Sequence, residues 1–233
     1  MSEQVLIRAA AGNNAEWCDA FCRTYGIAGR FRADSWSSPV RTPQLYPDAV
    51  TLVPGADVEL LLSGIDSGEG CSVKDSFADL DLTAAGFRSL FRAEWLLRRP
   101  DDAPSAAAPA WSFLMTAEQL GEWESTWAES TEATCFFRPA LLTNQAVRVL
   151  ARYDLGHIVA GAVANRSATM IGLSNVFDAA GDLESAWHGA AAAATSVWGP
   201  LPVVGYDSGS SLDAAKEAGF DSIGELVVWV TRP

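Results

Sequence analysis

Between Arg99 and Ala110 the chain reads Arg-Pro-Asp-Asp-Ala-Pro-Ser-Ala-Ala-Ala-Pro-Ala, with three prolines in ten residues and no apolar period. Proline fixes φ and lacks a backbone donor, so this stretch neither joins a sheet nor continues a helix; it reads as an extended, semi-stiff spacer. It divides the 233 residues into an N-terminal part, residues 1–100, a linker at 101–110 and a C-terminal part, residues 111–233. Each part lies near the small end of the domain range.

The two parts end alike. Ala85-Gly86-Phe87-Arg88-Ser89 leads through Phe91, Ala93, Trp95 and Leu97 to Arg99-Pro100, and Ala218-Gly219-Phe220-Asp221-Ser222 leads through Leu226, Val228 and Val230 to Arg232-Pro233. Upstream, the strand-like Cys71–Ser76 answers Leu201–Tyr206. Such self-similarity suggests an internal duplication of a strand, a helix or turn, an Ala-Gly-Phe corner and a closing strand.

Sixteen lysines and arginines against 29 aspartates and glutamates give a net charge of −13, which repels a phosphate backbone and speaks against nucleic-acid binding. The basic clusters, Arg30 with Arg32 and Arg88, Arg92, Arg98 and Arg99, read as solvated faces with ion-pair partners. No apolar run approaches the ~18 residues of a membrane span, and Met1-Ser2-Glu3-Gln4 does not open a signal peptide. Cys18, Cys22, Cys71 and Cys135 are scattered in a chain too long to need staples, so the expectation is a reduced, cytoplasmic protein without a metal. Cys18 and Cys22 stand one helical turn apart but lack a second pair, and read as core residues.

Locally, Ala15 to Tyr25 carries a helical pattern ended by Gly26, and Gly26 to Pro47 reads as a long loop holding Trp36. Strands are expected at Ala49 to Val53, Gly70 to Ser76 and Phe87 to Arg98, with Asp57 capping a short helix. In the second part Thr116 and Gln119 form a capping box ahead of Trp123 and Trp127. Arg138-Pro139 opens a helical run to about Tyr153, and His157–Ala164 and Thr169–Val176 form a hairpin. Asp182 caps a helix through Trp187 and five alanines to Gly199, followed by a strand at Pro202 to Tyr206, a helix at Leu212 to Ala218 and a last strand.

This order of helices, hairpin, helix, strand, helix, Gly-Phe and strand resembles the GNAT N-acyltransferase superfamily. The resemblance rests on Gly156–Ala164 as a hairpin strand, Ile171-Gly172-Leu173-Ser174-Asn175-Val176 as the central strand, and Ala214–Phe220 as the helix before the last strand. It covers nearly all of Trp111 to Pro233; in the first part only Cys71 to Arg99 matches, as a truncated second copy. The resemblance implies a mixed α/β fold in tandem, in which two strands splay at the centre of the sheet and a thioester pantetheine arm lies between them. The arm would pair with the backbone of Leu173, Ser174, Asn175, Val176 and Phe177 as an added strand does. The implied reaction moves an acyl group from acyl-CoA, acetyl-CoA or a carrier-protein pantetheine to the amine of a small molecule.

Three departures from the family pattern bear on that chemistry. Where members carry a glycine-rich loop that holds the cofactor pyrophosphate at a helix N-terminus, this chain has Phe177-Asp178-Ala179-Ala180-Gly181-Asp182-Leu183-Glu184, whose carboxylates repel an anion. A carrier-borne donor would not need that loop. Ala215 stands where a tyrosine often serves as general acid, which leaves Tyr206 for that role, beside Asp207; the alternative for Tyr206 is a phenol hydrogen-bonded at a strand end. Neither His157 nor His188 is an evident base for the amine. No Gly-x-Ser-x-Gly elbow, phosphate-binding glycine loop or His-Glu-x-x-His motif is present. A second reading is therefore a scaffold of this fold that has lost catalysis and binds a small molecule or a partner protein.

Overall fold

The computed structural model describes residues 2–100, 110–130 and 135–231; most of the spacer lies outside the described residues. The chain packs as two units, Met1–Trp95 with Ile223–Pro233, and Leu96–Ser222. The last strand in sequence thus belongs with the first hundred residues.

The first unit begins with α1 (Glu3–Arg23), then β1 (Arg30–Phe31), β2 (Ser35–Ser37) and β3 (Ala49–Thr51). A short helix, α2 (Val58–Leu62), crosses to β4 (Ser72–Asp75), and a 3₁₀ turn at Thr83–Ala85 leads into β5 (Phe87–Arg98). The strands β1, β2 and β3 pair antiparallel in turn, β3 pairs parallel with β4, and the last strand pairs antiparallel with β4, Val227 opposite Asp75 and Trp229 opposite Val73. Ala49, Leu61, Val73, Leu82, Phe87 and Val227 form one apolar cluster of this unit.

The helix α1 starts twelve residues before its apolar pattern begins at Ala15, across Gly12-Asn13-Asn14, residues of low helical propensity. Tertiary contact overrides propensity there, because Asn14 is buried and its Oδ1 accepts from the buried Lys74 Nζ at 2.8 Å. The expected loop after Gly26 contains β1 and β2, with Trp36 fully buried and its indole N–H donating to Asp19. Asp57 caps α2 by accepting from Leu60 N.

The later part of the chain follows a similar order, with longer strands in its antiparallel meander. After β6 (Trp111–Phe113) come α3 (Ala117–Trp127), a 3₁₀ turn at Pro139–Thr143, and β7 (Val147–Asp154), β8 (His157–Arg166) and β9 (Ile171–Asp178). The helix α4 (Leu183–Trp198) crosses to β10 (Val203–Asp207), and α5 (Gly209–Glu217) precedes β11 (Asp221–Thr231). Within the second unit the strand order is β10-β9-β8-β7-β6, antiparallel except for β9 with β10. The run after Arg138-Pro139 is thus one 3₁₀ turn and a strand rather than a helix. Val147 and Val149 favour a pleated surface, and β8 supplies the full ladder of partners.

The Gly-Phe corners are built identically. Gly86 and Gly219 adopt φ of 85° and 88°; their N–H groups bond to Thr83 O and Lys216 O, while those of Phe87 and Phe220 reach back to Leu82 O and Ala215 O. This is the Schellman closure, which needs a left-handed residue and so favours glycine. The expected capping box is formed, since Thr116 accepts from Gln119 N and the Gln119 side chain reaches back to the cap.

The α3 face of the second sheet is an aromatic layer. Trp123 packs edge-on against Phe137 and Phe177 and donates its indole N–H to Leu150 O at 2.9 Å. Gly161 lies beneath it, and a Cβ there would stand 2.1 Å from Trp123 Nε1 and 2.5 Å from Phe177 Cε1. Gly121 on α3 has open space instead. In urea unfolding, Gly121→Ala is expected to stabilise by roughly 0.5–1 kcal/mol through helix propensity, whereas Gly161→Ala destabilises by about 1–3 kcal/mol through overpacking.

Candidate functional site

The parallel ladder between β9 and β10 holds for two rungs, Val203 opposite Ile171 and Val204 opposite Gly172, although β9 runs on to Asp178 and β10 to Asp207. Beyond the second rung no further pairing joins the two strands among the described residues, which leaves the β9 backbone of Ser174–Phe177 without a β10 partner. A strand edge with unpaired donors and acceptors in mid-sheet is a template for an extended ligand.

A bulge lies at the same level. On β8 one residue, Ala162, lies between Gly161 and Val163, while on β9 two, Asn175 and Val176, lie between their partners Ser174 and Phe177. The extra residue is Asn175, at φ 54°, a left-handed conformation that asparagine tolerates better than most side chains. The bulge resets the alternation of the strand. Ile171 and Leu173 join the core under α4, and after the bulge Val176 packs there too, while Phe177 turns to Trp123 on the α3 face. Ser174, opposite Val163 and in step with Gly161, faces the α3 side as well.

On β10, Gly205 faces α4: a Cβ on it would stand 2.9 Å from Trp187 Cη2 and 3.2 Å from Leu173 O. Trp187 is 1% exposed, packs edge-on against Phe220 and donates its indole N–H to Ser211 Oγ at 3.4 Å. Since Gly205 faces α4, Tyr206 faces the α3 side, and extending the register sets it level with Ser174. The structure therefore brings Tyr206 and Ser174 to one face of the opening and separates them from Leu173 and Val176. The Ser174 hydroxyl oxygen is buried and has no hydrogen-bond partner among the described residues.

The remaining candidates lie elsewhere. Both Asp207 oxygens are engaged, one by Ser208 N and the other by the Ser211 hydroxyl at 2.6 Å, so Asp207 serves the start of α5. Ala215 is fully buried in the core. The His157 side chain is 85% exposed, with Nδ1 3.9 Å from Glu122 Oε1, at the rim of an open groove of about 370 Å³ lined also by Ser125, Thr126 and Glu129. Trp111 packs against Gly189.

The loop ahead of α4 is closed by its own carboxylates. Asp178 Oδ1 accepts from Ala180 N at 2.8 Å and Asp182 N at 3.2 Å, and Oδ2 takes Arg152 Nη2 at 2.5 Å. Asp182 caps the helix through Ser185 N, and its carboxyl is held below the ordinary carboxylate range, first by Ser185. Arg152 and the role of Asp178 were beyond sequence reasoning, since the pair is 26 residues apart.

The cysteines build no centre. Cys18, Cys22 and Cys71 are buried, and burial pushes the thiols of Cys18 and Cys71 up to about 11 and that of Cys22 higher still. Among the described residues no three His, Cys, Asp or Glu side chains form a metal-binding group, and no helix is long and apolar enough to cross a membrane.

Comparison with solved structures places this architecture. The chain is similar to a GCN5-related N-acetyltransferase from Kribbella flavida, 14% identical over 94% of this chain and 95% of that one at a TM-score of 0.59. It is also similar to a GNAT-family protein from Novosphingobium aromaticivorans, 13% identical over 93% and 96% of the two chains at a TM-score of 0.55. No family model matches the sequence, and no curated protein matches it. The chain has the mixed α/β fold of the GNAT acetyltransferases, as the order of its elements implies.

Two measurements check the local geometry. Asn175→Gly should leave the urea midpoint within about 0.5 kcal/mol of the parent, while Asn175→Val should lower stability by about 1–2 kcal/mol because a β-branched residue resists positive φ. A thiol reagent at pH 8 should modify Cys135 rapidly and the other three only on unfolding. The raised folded thiol pKa values also fix a sign: above about pH 8.5 unfolded thiols lose protons that the folded ones keep, so stability falls as pH rises towards 11.

Proposed function

We propose that the second unit is an acyl-thioester site and that the protein moves an acyl group, acetyl being the simplest, from a pantetheine thioester to the amine of a small molecule. The observation that carries this reading is the two-rung parallel ladder beside the Asn175 bulge, which leaves strand edge free for an extended amide-bearing arm. The fold shared with N-acetyltransferases supports the same class. In this reading the backbone of Leu173, Ser174, Val176 and Phe177 pairs with the arm, while Asn175 and the unpartnered Ser174 hydroxyl lie at the thioester. The acceptor nitrogen attacks the thioester carbon, the C–S bond breaks, and Tyr206 gives its phenolic proton to the departing sulfur. The proton lost by the nitrogen returns to the phenolate through water, leaving an amide and a thiol.

The two parts, residues 1–100 and 111–233 joined by the 101–110 linker, are then tandem copies, the first cut down. Helix, three antiparallel strands, crossover, parallel strand, Gly-Phe corner and strand recur in both, which supports that reading. Four free cysteines suit a reducing cytoplasm. A second reading, a non-catalytic binding scaffold, is favoured by Ala215 in the core and by the carboxylates ahead of α4.

Thermal unfolding with acetyl-pantetheine and acetyl-CoA tests the donor: ligand at 100 times its Kd adds about 2.7 kcal/mol. Thiol release in the presence of small amines tests transfer, and Tyr206→Phe should slow it by about 10²-fold or more with donor affinity unchanged. Donor binding without thiol release for any amine supports the scaffold, and no binding by either thioester rejects the acyl-transfer reading.

A further inference from the structure

We propose that Asp178 is a specificity-determining residue: it supplies the chain's own anion to the loop ahead of α4, so that donors are held by the pantetheine arm and acyl end alone and gain nothing from a nucleotide diphosphate. This rests on the acyl-transfer reading for its donor, but the state of the loop can be measured without it.

A helix N-terminus attracts a phosphate because its first amides lack partners and the helix dipole is positive there. Here the loop amides that lead into the helix are spent, and so is Ser185 N in its first turn. Ala179 N bonds to Val159 O at 2.8 Å and Gly181 N to Asp178 O at 3.1 Å. Ala180 N and Asp182 N go to Asp178 Oδ1, and Ser185 N to Asp182 Oδ1. The positive partner that a phosphate would want is also taken, because Arg152 donates to Asp178 Oδ2. The Asp178 side chain is 0% exposed, so this is a sealed interaction of carboxylate, amides and guanidinium rather than a surface contact that an incoming ligand brushes aside. Two amides and one arginine around a single anion is the donor set that grips a phosphate oxygen; the chain fills it with a side chain from the end of β9. A diphosphate arriving there meets the charges of Asp178 and Asp182 with no free N–H between Ala179 and Asp182 to receive it.

The consequence is a donor class. A thioester on a pantetheine arm whose phosphate end lies away from this loop, as on a carrier protein or in a short synthetic thioester, binds as well as one carrying adenosine diphosphate.

Calorimetric titration of the parent protein with acetyl-pantetheine and with acetyl-CoA should give dissociation constants within about threefold, and inorganic pyrophosphate should neither shift the melting temperature nor compete. Asp178→Asn keeps an oxygen for the two amides while removing the charge, and Asp178→Ala vacates the position. Asp178→Ala, which frees both amides and Arg152, should gain pyrophosphate binding, with acetyl-CoA tightened by tenfold or more and acetyl-pantetheine unchanged, and Asp178→Asn, whose oxygen still occupies the amides, should gain less. Tenfold preference of the parent for acetyl-CoA, pyrophosphate competition in the parent, or no pyrophosphate gain in the folded Ala variant would each overturn the assignment. If neither thioester binds the parent, acyl transfer fails as a reading, and the pyrophosphate arm still decides whether Asp178 closes the loop.

Discussion

Gly205 lies so close to Trp187 and to Leu173 O that no side chain fits at its position, and it marks the level at which two parallel strands stop pairing. Every feature of the candidate site is measured from this contact. It fixes the face of β10 that meets α4, hence the face on which Tyr206 stands; alternation sets Ser174 on that face, and the Asn175 bulge returns Val176 to the core and turns Phe177 to the α3 side. One close approach and one extra residue convert a continuous sheet into a sheet with a free edge inside it.

The first unit shows the same topology without the opening. Its parallel strands also pair for two rungs, Ala49 with Val73 and Val50 with Lys74. The next level is closed by a side chain, because Thr51 Oγ1 accepts from Ser76 N at 2.8 Å and both residues are fully buried. Asn14, Asp19, Asp48, Lys74 and Asp75 are buried there as well, tied to one another or to backbone amides. These bonds tie the buried groups to the protein itself, which favours a fixed scaffold over a ligand-admitting gap, although the Ser76 hydroxyl is buried there without a partner among the described residues. The second unit keeps its polar groups at the opening and an apolar core under α4.

Much of this was legible in the sequence because it is local. The Thr116 capping box, the Asp182 cap, the β8–β9 hairpin and the Gly-Phe corners depend on residues within a few positions of one another, and they formed as spacing required. The start of α1 and the run after Arg138 were misread because distant partners, Lys74 for Asn14 and β8 for β7, outweigh local propensity. Within the site, Leu173 to Phe177 could be placed on a central strand, but alternation alone could not say which residues share a face, since the bulge shifts it by one. Asn175 opposite the Gly161 region was the available signal. The Arg152 and Asp178 pair left none, because an ion pair between separate strands has no sequence period.

Backbone hydrogen exchange followed by mass spectrometry, with and without acetyl-pantetheine, tests the central claim that the β9 edge receives the donor. The account predicts slowed exchange in residues 173–178, with residues 49–53 and 72–76 unchanged, because only the former gain new backbone partners. Unchanged exchange across 173–178 at millimolar donor, or protection centred on the first unit, would contradict it.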